Sequence, residues 1–171
     1  SFPTRRSSDL QALRQAEKTL SQDMLPQLHG RILVAEDVVT NQILIRTLLE
    51  RYGLEVTIAT DGEEVLHHIG QNPYDLIFMD MHMPHINGYE ATRRLRNLGI
   101  KNPIVALTAG AIRGDDKKCL DGGCDNYLCK PIEQDQLFQV LEEYLDAKPS
   151  INAHPVKTRP ATAGSNESIP L

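Results

Sequence analysis

Five short apolar runs recur along the chain, each followed by a stretch whose apolar residues fall at helical spacing. The first, residues 31–35 (RILVA), ends in two acids, Glu36 and Asp37. Ile43, Leu44, Thr47, Leu48 and Arg51 then follow a 3.6-residue pattern that Gly53 stops. Residues 54–59 are β-rich, and Asp61-Gly-Glu-Glu64 resembles a capping box that opens a second helix, with Asp61 accepting N–H bonds while Glu64 reaches back. Residues 75–79 (DLIFM) form a continuous apolar strand that runs into Asp80, and residues 88–98 a helix with Leu95 and Leu98 inward. Residues 103–107 (PIVAL) make a fourth strand ending in Thr108, followed by a helix over 112–120 that Gly122-Gly123 stops. Residues 127–129 give the fifth strand, and residues 132–145 a last helix with Leu137, Val140, Leu141 and Leu145 on one face.

Apolar strands without alternation are what a parallel sheet covered on both faces requires. Regular strand–helix alternation therefore predicts an α/β, (βα)5 doubly wound parallel sheet. The polar residues decide where its chemistry lies. Glu36, Asp37, Asp80, Thr108 and Lys130 all stand at the C-terminal ends of predicted strands. Open parallel sheets bind ligands at that edge, at a topological switch point.

The flanking segments read differently. Ser1 to Leu10 has no apolar periodicity and resembles the translation of a sequencing-adaptor oligonucleotide, so we expect residues 1–10 to be an assembly artefact. Residues 11–29 read as a connector helix and linker, with Ala12, Leu13, Ala16, Leu20 and Met24 at helical spacings and breaks at Pro26 and Gly30. The domain itself is expected over residues 30–146. Residues 147–171, rich in Pro, Ser, Thr, Ala and Asn, read as a flexible linker or tail.

Composition narrows the class. The 171 residues are 40% apolar and 24% charged, typical of a globular chain with a core. A net charge of -5 argues against direct nucleic-acid binding. No apolar run approaches the roughly 20 residues that span a bilayer, and no signal-peptide pattern opens the sequence. These features lead us to expect a cytoplasmic domain with no membrane contact of its own. Cys119, Cys124 and Cys129 fit reduced thiols better than disulfides, and their spacing lacks the close pairing of zinc ribbons.

Three carboxylates brought together repel one another unless a cation is present. Oxygen-only ligands suit Mg²⁺. Lys130 adds a compact positive charge and Thr108 a hydroxyl donor, a set able to hold the oxygens of a transferring phosphoryl group. A carboxylate can itself be the nucleophile. Asp80, which ends the third and most central strand, is the best candidate, with Glu36 and Asp37 left to hold the metal.

Glu36-Asp37, Asp80-Met-His-Met-Pro-His-Ile-Asn-Gly88, Leu107-Thr-Ala109 and Lys130-Pro131 together resemble the signature of bacterial response-regulator receivers, in order and spacing, from about Arg31 to Leu145. The resemblance implies a flavodoxin-like strand order 2-1-3-4-5. It makes Asp80 the phosphoacceptor, Glu36, Asp37 and Asp80 the Mg²⁺ ligands, and Thr108 and Lys130 the phosphate sensors. Tyr127 falls at the switch aromatic, which moves with Thr108, and Lys130-Pro131 at a cis peptide bond. Such a domain accepts its phosphoryl group from a phosphohistidine-bearing kinase or phosphotransfer domain. It catalyses only its own phosphorylation and dephosphorylation. His82 and His85 are expected to be exposed loop residues, His82 where phosphoryl lifetime is tuned.

Asn41-Gln42, Glu90-Ala-Thr-Arg93 and Asp125-Asn-Tyr-Leu128 look most like receivers of hybrid sensor histidine kinases. The expected parent is such a kinase, whose upstream part would decide any anchoring to the inner membrane; a homodimer is left open. Three alternatives compete. An aspartyl-phosphate phosphatase of the haloacid-dehalogenase type would place a second Asp where His82 stands. A flavodoxin-like nucleotide or flavin binder would need a phosphate-cradling loop where Glu36-Asp37 would repel an anion. A phosphorylation-independent pseudo-receiver would bind a partner without using Asp80.

Overall fold

A computed structural model describes Gln11 and residues 25–110 and 114–145. The expected artefact, most of the connector helix, Ile112 and the tail lie outside the described residues. In chain order the elements are β1 (Arg31–Ala35), α1 (Val39–Arg51), β2 (Glu55–Ala59), α2 (Gly62–Gln71), β3 (Leu76–Asp80), α3 (Gly88–Asn97), β4 (Ile104–Thr108), α4 (Asp115–Asp121), β5 (Asn126–Cys129) and α5 (Gln134–Tyr144). The five strands form one sheet in the order β2-β1-β3-β4-β5, all neighbours parallel. The expected architecture and strand order are both present.

β3 shows why the sheet needs helices on both faces. All five of its residues are buried, and they alternate between two cores. Leu76 and Phe78 pack with Ile45 and Leu49 of α1 and Leu137, Val140 and Leu141 of α5. Ile77 and Met79 pack with Val65 of α2, Ala91 and Leu95 of α3, and the thiols Cys119 and Cys124. Burying these side chains supplies most of the folding drive, at about 25 cal/mol per Å² of apolar surface.

Several helix details depart from the sequence expectation. On α1 the inward residues are Ile45 and Leu49, whereas Ile43 and Leu44 are 61% and 47% exposed. Apolar residues lie on several sides of this helix, so periodicity alone does not single out the face that meets the sheet. Leu98, expected inward, is the C-cap of α3 and is 72% exposed; the chain leaves the helix there, and of the two leucines Leu95 alone reaches the core. The helix expected over 112–120 is described from Asp115. At α2 the Asp61 carboxylate accepts from Glu64 N–H as expected, while the Glu64 side chain reaches one residue further back, to Thr60 N–H at 2.7 Å.

The chain before β1 contributes to the core. Leu28 is 1% exposed, packs into the α1/α5 core, and its N–H donates to Tyr52 C=O at 2.7 Å.

Candidate functional site

The sheet register assembles the site. Asp80 is aligned with Leu107, and Leu107 with Leu128. Thr108 therefore stands one residue beyond Asp80's level, level with Cys129. The chain leaves β1 directly into Glu36 and Asp37, and β5 directly into Lys130. β2 lies on one side of β1 and β3 on the other, so the crevice between the ends of β1 and β3 is the switch point of the sheet. The two acids and Asp80 face one another across it.

Close approach holds Asp80 at the head of that crevice. Gly88 opens α3, and its N–H donates to Met81 C=O at 3.2 Å. A Cβ on Gly88 would run into the Asp80 carbonyl oxygen and lie 2.8 Å from Met81 Cα. Only glycine lets α3 start this close to the strand end, which explains the last position of the run from Asp80 to Gly88. Asn87 caps the helix by accepting from Glu90 N–H at 3.0 Å.

Asp80 is 4% and Glu36 1% exposed, so two acids are buried together. Lys130 is what makes this tolerable. Its Nζ donates to Glu36 Oε2 at 2.6 Å and to Asp80 Oδ2 at 2.8 Å. Asp80 Oδ1 accepts from His82 N–H at 2.9 Å. Burial is the strongest influence on the Asp80 carboxyl and raises its pKa, against the lowering effect of Lys130 and the His82 N–H. Burial pulls the Lys130 ammonium down, but its bonds to Asp80 and Glu36 outweigh that and leave its pKa raised. Lys130 is therefore held charged. Its peptide bond to Pro131 is cis, as expected.

One oxygen from each of Glu36, Asp37 and Asp80 lies within 4.8 Å of the others. An all-carboxylate donor set this compact, in which, among the described residues, Lys130 alone pairs with the two buried acids, fits a hard divalent cation such as Mg²⁺.

Thr108 is buried, and its hydroxyl donates to Leu128 C=O at 3.4 Å and toward Cys129 Sγ at 3.6 Å. It therefore faces β5. Tyr127, two residues along β5, is 36% exposed. His82 and His85 are exposed loop residues, as expected. His85 pairs with Asp61 at 3.2 Å, and the His82 ring meets the Tyr89 ring edge-on at 6.5 Å. The structure thus brings Glu36, Asp37, Asp80 and Lys130 together, with Thr108 at the neighbouring strand tip.

Two functional contacts had no role assigned from sequence. Asn41 Nδ2 donates to Glu36 Oε1 at 3.2 Å, and Gln42 Nε2 to Glu36 C=O at 2.7 Å. Two side-chain amides in the first turn of a helix that follows a strand-end acid were the available signal, since that turn folds back over the strand tip.

Residues 32–142 match the response regulator receiver domain family. The chain is 44% identical over 127 residues to hybrid signal transduction histidine kinase I of Dictyostelium discoideum, an alignment covering 69% of this chain and 7% of that protein. The receiver domain of sensor histidine kinase PA1611 from Pseudomonas aeruginosa, with a magnesium ion coordinated in its active-site cleft, is similar at 37% identity and a TM-score of 0.63, over 68% of this chain and 97% of that one. The receiver domain of Ssk1 from Saccharomyces cerevisiae, in complex with the histidine phosphotransfer protein Ypd1, is similar at 30% identity and a TM-score of 0.64, covering 71% and 90%. Relatives therefore come from a slime mould and a yeast as well as bacteria, wider than the bacterial signature first suggested. The chain spans only 7% and 12% of the length of two curated kinases it matches.

Proposed function

The chain belongs to the response regulator receiver domain family, a module of two-component phosphorelays, and we propose that its Asp80 takes the phosphoryl group of a partner's phosphohistidine. The observation that carries this reading is the convergence of Glu36, Asp37, Asp80 and Lys130 at the switch point of the sheet. A carboxylate oxygen of Asp80 forms the new O–P bond as the N–P bond of the donor breaks, and the electron pair of that bond stays on the histidine nitrogen. His82 N–H and Lys130 fix the rotamer of the attacking carboxylate. Lys130 is already charged and in place to meet the phosphoryl oxygens, so little reorganisation is needed at the moment of transfer. Glu36, Asp37 and Asp80 would hold Mg²⁺, whose chemistry here is to offset the charge on the phosphoryl oxygens.

Transfer then shifts a two-state equilibrium. The Thr108 hydroxyl, bonded to β5, turns toward the phosphoryl group, and Tyr127, on the neighbouring strand, leaves its exposed position. The readout surface is α4, β5 and α5. Val38 at the N-cap and Val39, Ile43 and Leu44 of α1 leave apolar side chains exposed at the end of the helix that follows the acids. Such a surface suits the apolar flank of a helical phosphohistidine domain. The parent protein is a hybrid sensor kinase acting on the cytoplasmic side.

Incubating the chain with a purified, radiolabelled phosphohistidine protein tests this reading. Label should move to the chain in the presence of Mg²⁺ and not to Asp80→Asn. Label on both forms would reject Asp80 as the acceptor.

A further inference from the structure

Val38 is the N-cap of α1, in an extended conformation, and its side chain forms no capping hydrogen bond. A valine has no acceptor to offer the free N–H groups of a first turn. Glu36 instead takes up the N–H of the cap residue itself. Its Oε1 accepts from Val38 N–H at 3.1 Å and from Asn41 Nδ2 at 3.2 Å, while its Oε2 meets Lys130 Nζ at 2.6 Å. A single carboxylate, 1% exposed, thus closes the start of α1 with one oxygen and faces the phosphoacceptor crevice with the other. The Gln42 amide ties down the backbone beneath it by donating to Glu36 C=O at 2.7 Å.

From this geometry, and resting on the receiver function proposed above, we infer that Asn41 is a positioning residue for Glu36, fixing the plane of its carboxylate so that the oxygen opposite the Asn41 amide is directed at Lys130 and the crevice that would hold Mg²⁺. The terminal torsion of a glutamate is broad and roughly two-fold, so its orientation is set by hydrogen bonds. On Oε1 the Asn41 amide is the side-chain donor; the other partner is the backbone of a segment between strand and helix. Without Asn41, Lys130 still holds Oε2, but Oε1 keeps only the Val38 N–H, and the plane of the carboxylate is free to rock about that torsion. Residues that orient a metal-binding group through a hydrogen bond commonly affect affinity by about 10- to 100-fold. Asn41 lines one cleft with Glu36 and exposed Leu44, so a partner seated on Leu44 would press close to the same contact.

The test is a calorimetric Mg²⁺ titration of the whole chain beside Asn41→Leu, Asn41→Ala and Asp37→Asn, with thermal unfolding of each in chelator. Asn41→Leu keeps volume without the donor, and Asn41→Ala loses both. We expect both to bind Mg²⁺ about tenfold more weakly than the parent, with unfolding temperatures in chelator close to the parent's. Unchanged affinity in either variant, or a loss in Asn41→Ala alone, would make the role one of packing or none and overturn the inference. Unfolding of both variants in chelator would mark Asn41 as structural and overturn it as well. A parent that binds no Mg²⁺, or Asp37→Asn binding as tightly as the parent, would strike instead at the receiver reading underneath.

Discussion

Lys130 Nζ lies 2.8 Å from Asp80 Oδ2 although fifty residues of sequence separate the two. The same ammonium lies 2.6 Å from Glu36 Oε2, so one cation serves two buried acids. Removing it leaves those charges opposed at short range in a poorly solvated place. Breaking a buried pair by deleting one partner costs about 3–5 kcal/mol, and the partial exposure of Lys130 reduces that here. Lys130→Met is expected to lower the unfolding free energy by about 2 kcal/mol in chelator. Added Mg²⁺ should then stabilise the variant more than it stabilises the parent. Urea titrations of both forms, with chelator and with Mg²⁺, give the comparison; equal stabilisation by Mg²⁺ would contradict the shared-counterion picture.

Asp61 gives a pH dependence of known sign. As the N-cap of α2 its carboxylate accepts from Glu64 N–H at 2.9 Å, and this bond lowers its pKa; burial opposes it, and the exposed His85 adds a lesser lowering effect. A group whose folded pKa lies below its unfolded value stabilises the fold above the usual carboxylate range. That contribution disappears as pH falls through the lowered value. Asp61→Ala should cost about 1 kcal/mol at neutral pH, and less in acid. Asp61→Asn should keep most of the cap and lose that part of the pH dependence. Urea midpoints at neutral and acidic pH test this.

Leu28 makes the residues before β1 part of the folding unit. Leu28→Ala removes a buried side chain and is expected to cost about 3 kcal/mol, as for other large-to-small changes in a core. A chain shortened to begin at Arg31 should lose at least as much, because the Leu28 N–H bond to Tyr52 C=O goes too. Thermal melting of both forms against the parent gives the answer. Retention of the parent's stability by the shortened chain would show that Leu28 is dispensable.

What was legible in the sequence, and what was not, follows the physics of each element. β3 could be read because both its faces are covered, so LIFM is apolar throughout and Asp80 stands out as the first break. Glu36, Asp37, Thr108 and Lys130 could be read because a parallel sheet brings all strand ends to one edge. The inward face of α1 could not. Val39, Ile43, Leu44, Ile45, Leu48 and Leu49 surround much of that helix, and its placement over Leu76 and Phe78 chose Ile45 and Leu49. Leu98 looked like core because its spacing continues α3, yet the chain turns away there. The amides of Asn41 and Gln42 carried only the signal of their place in the first turn after a strand-end acid; which atoms of Glu36 they meet depends on the angle at which α1 folds back over β1.

Asp80 as phosphoacceptor is the central claim, and the intact mass of the chain tests it most directly. The parent and Asp80→Asn would be incubated with Mg²⁺ and a small acyl phosphate such as acetyl phosphate, then weighed without delay. The account predicts one added phosphoryl group on the parent, stable in acid and lost in base, and none on Asp80→Asn. An equal gain by both forms would contradict it.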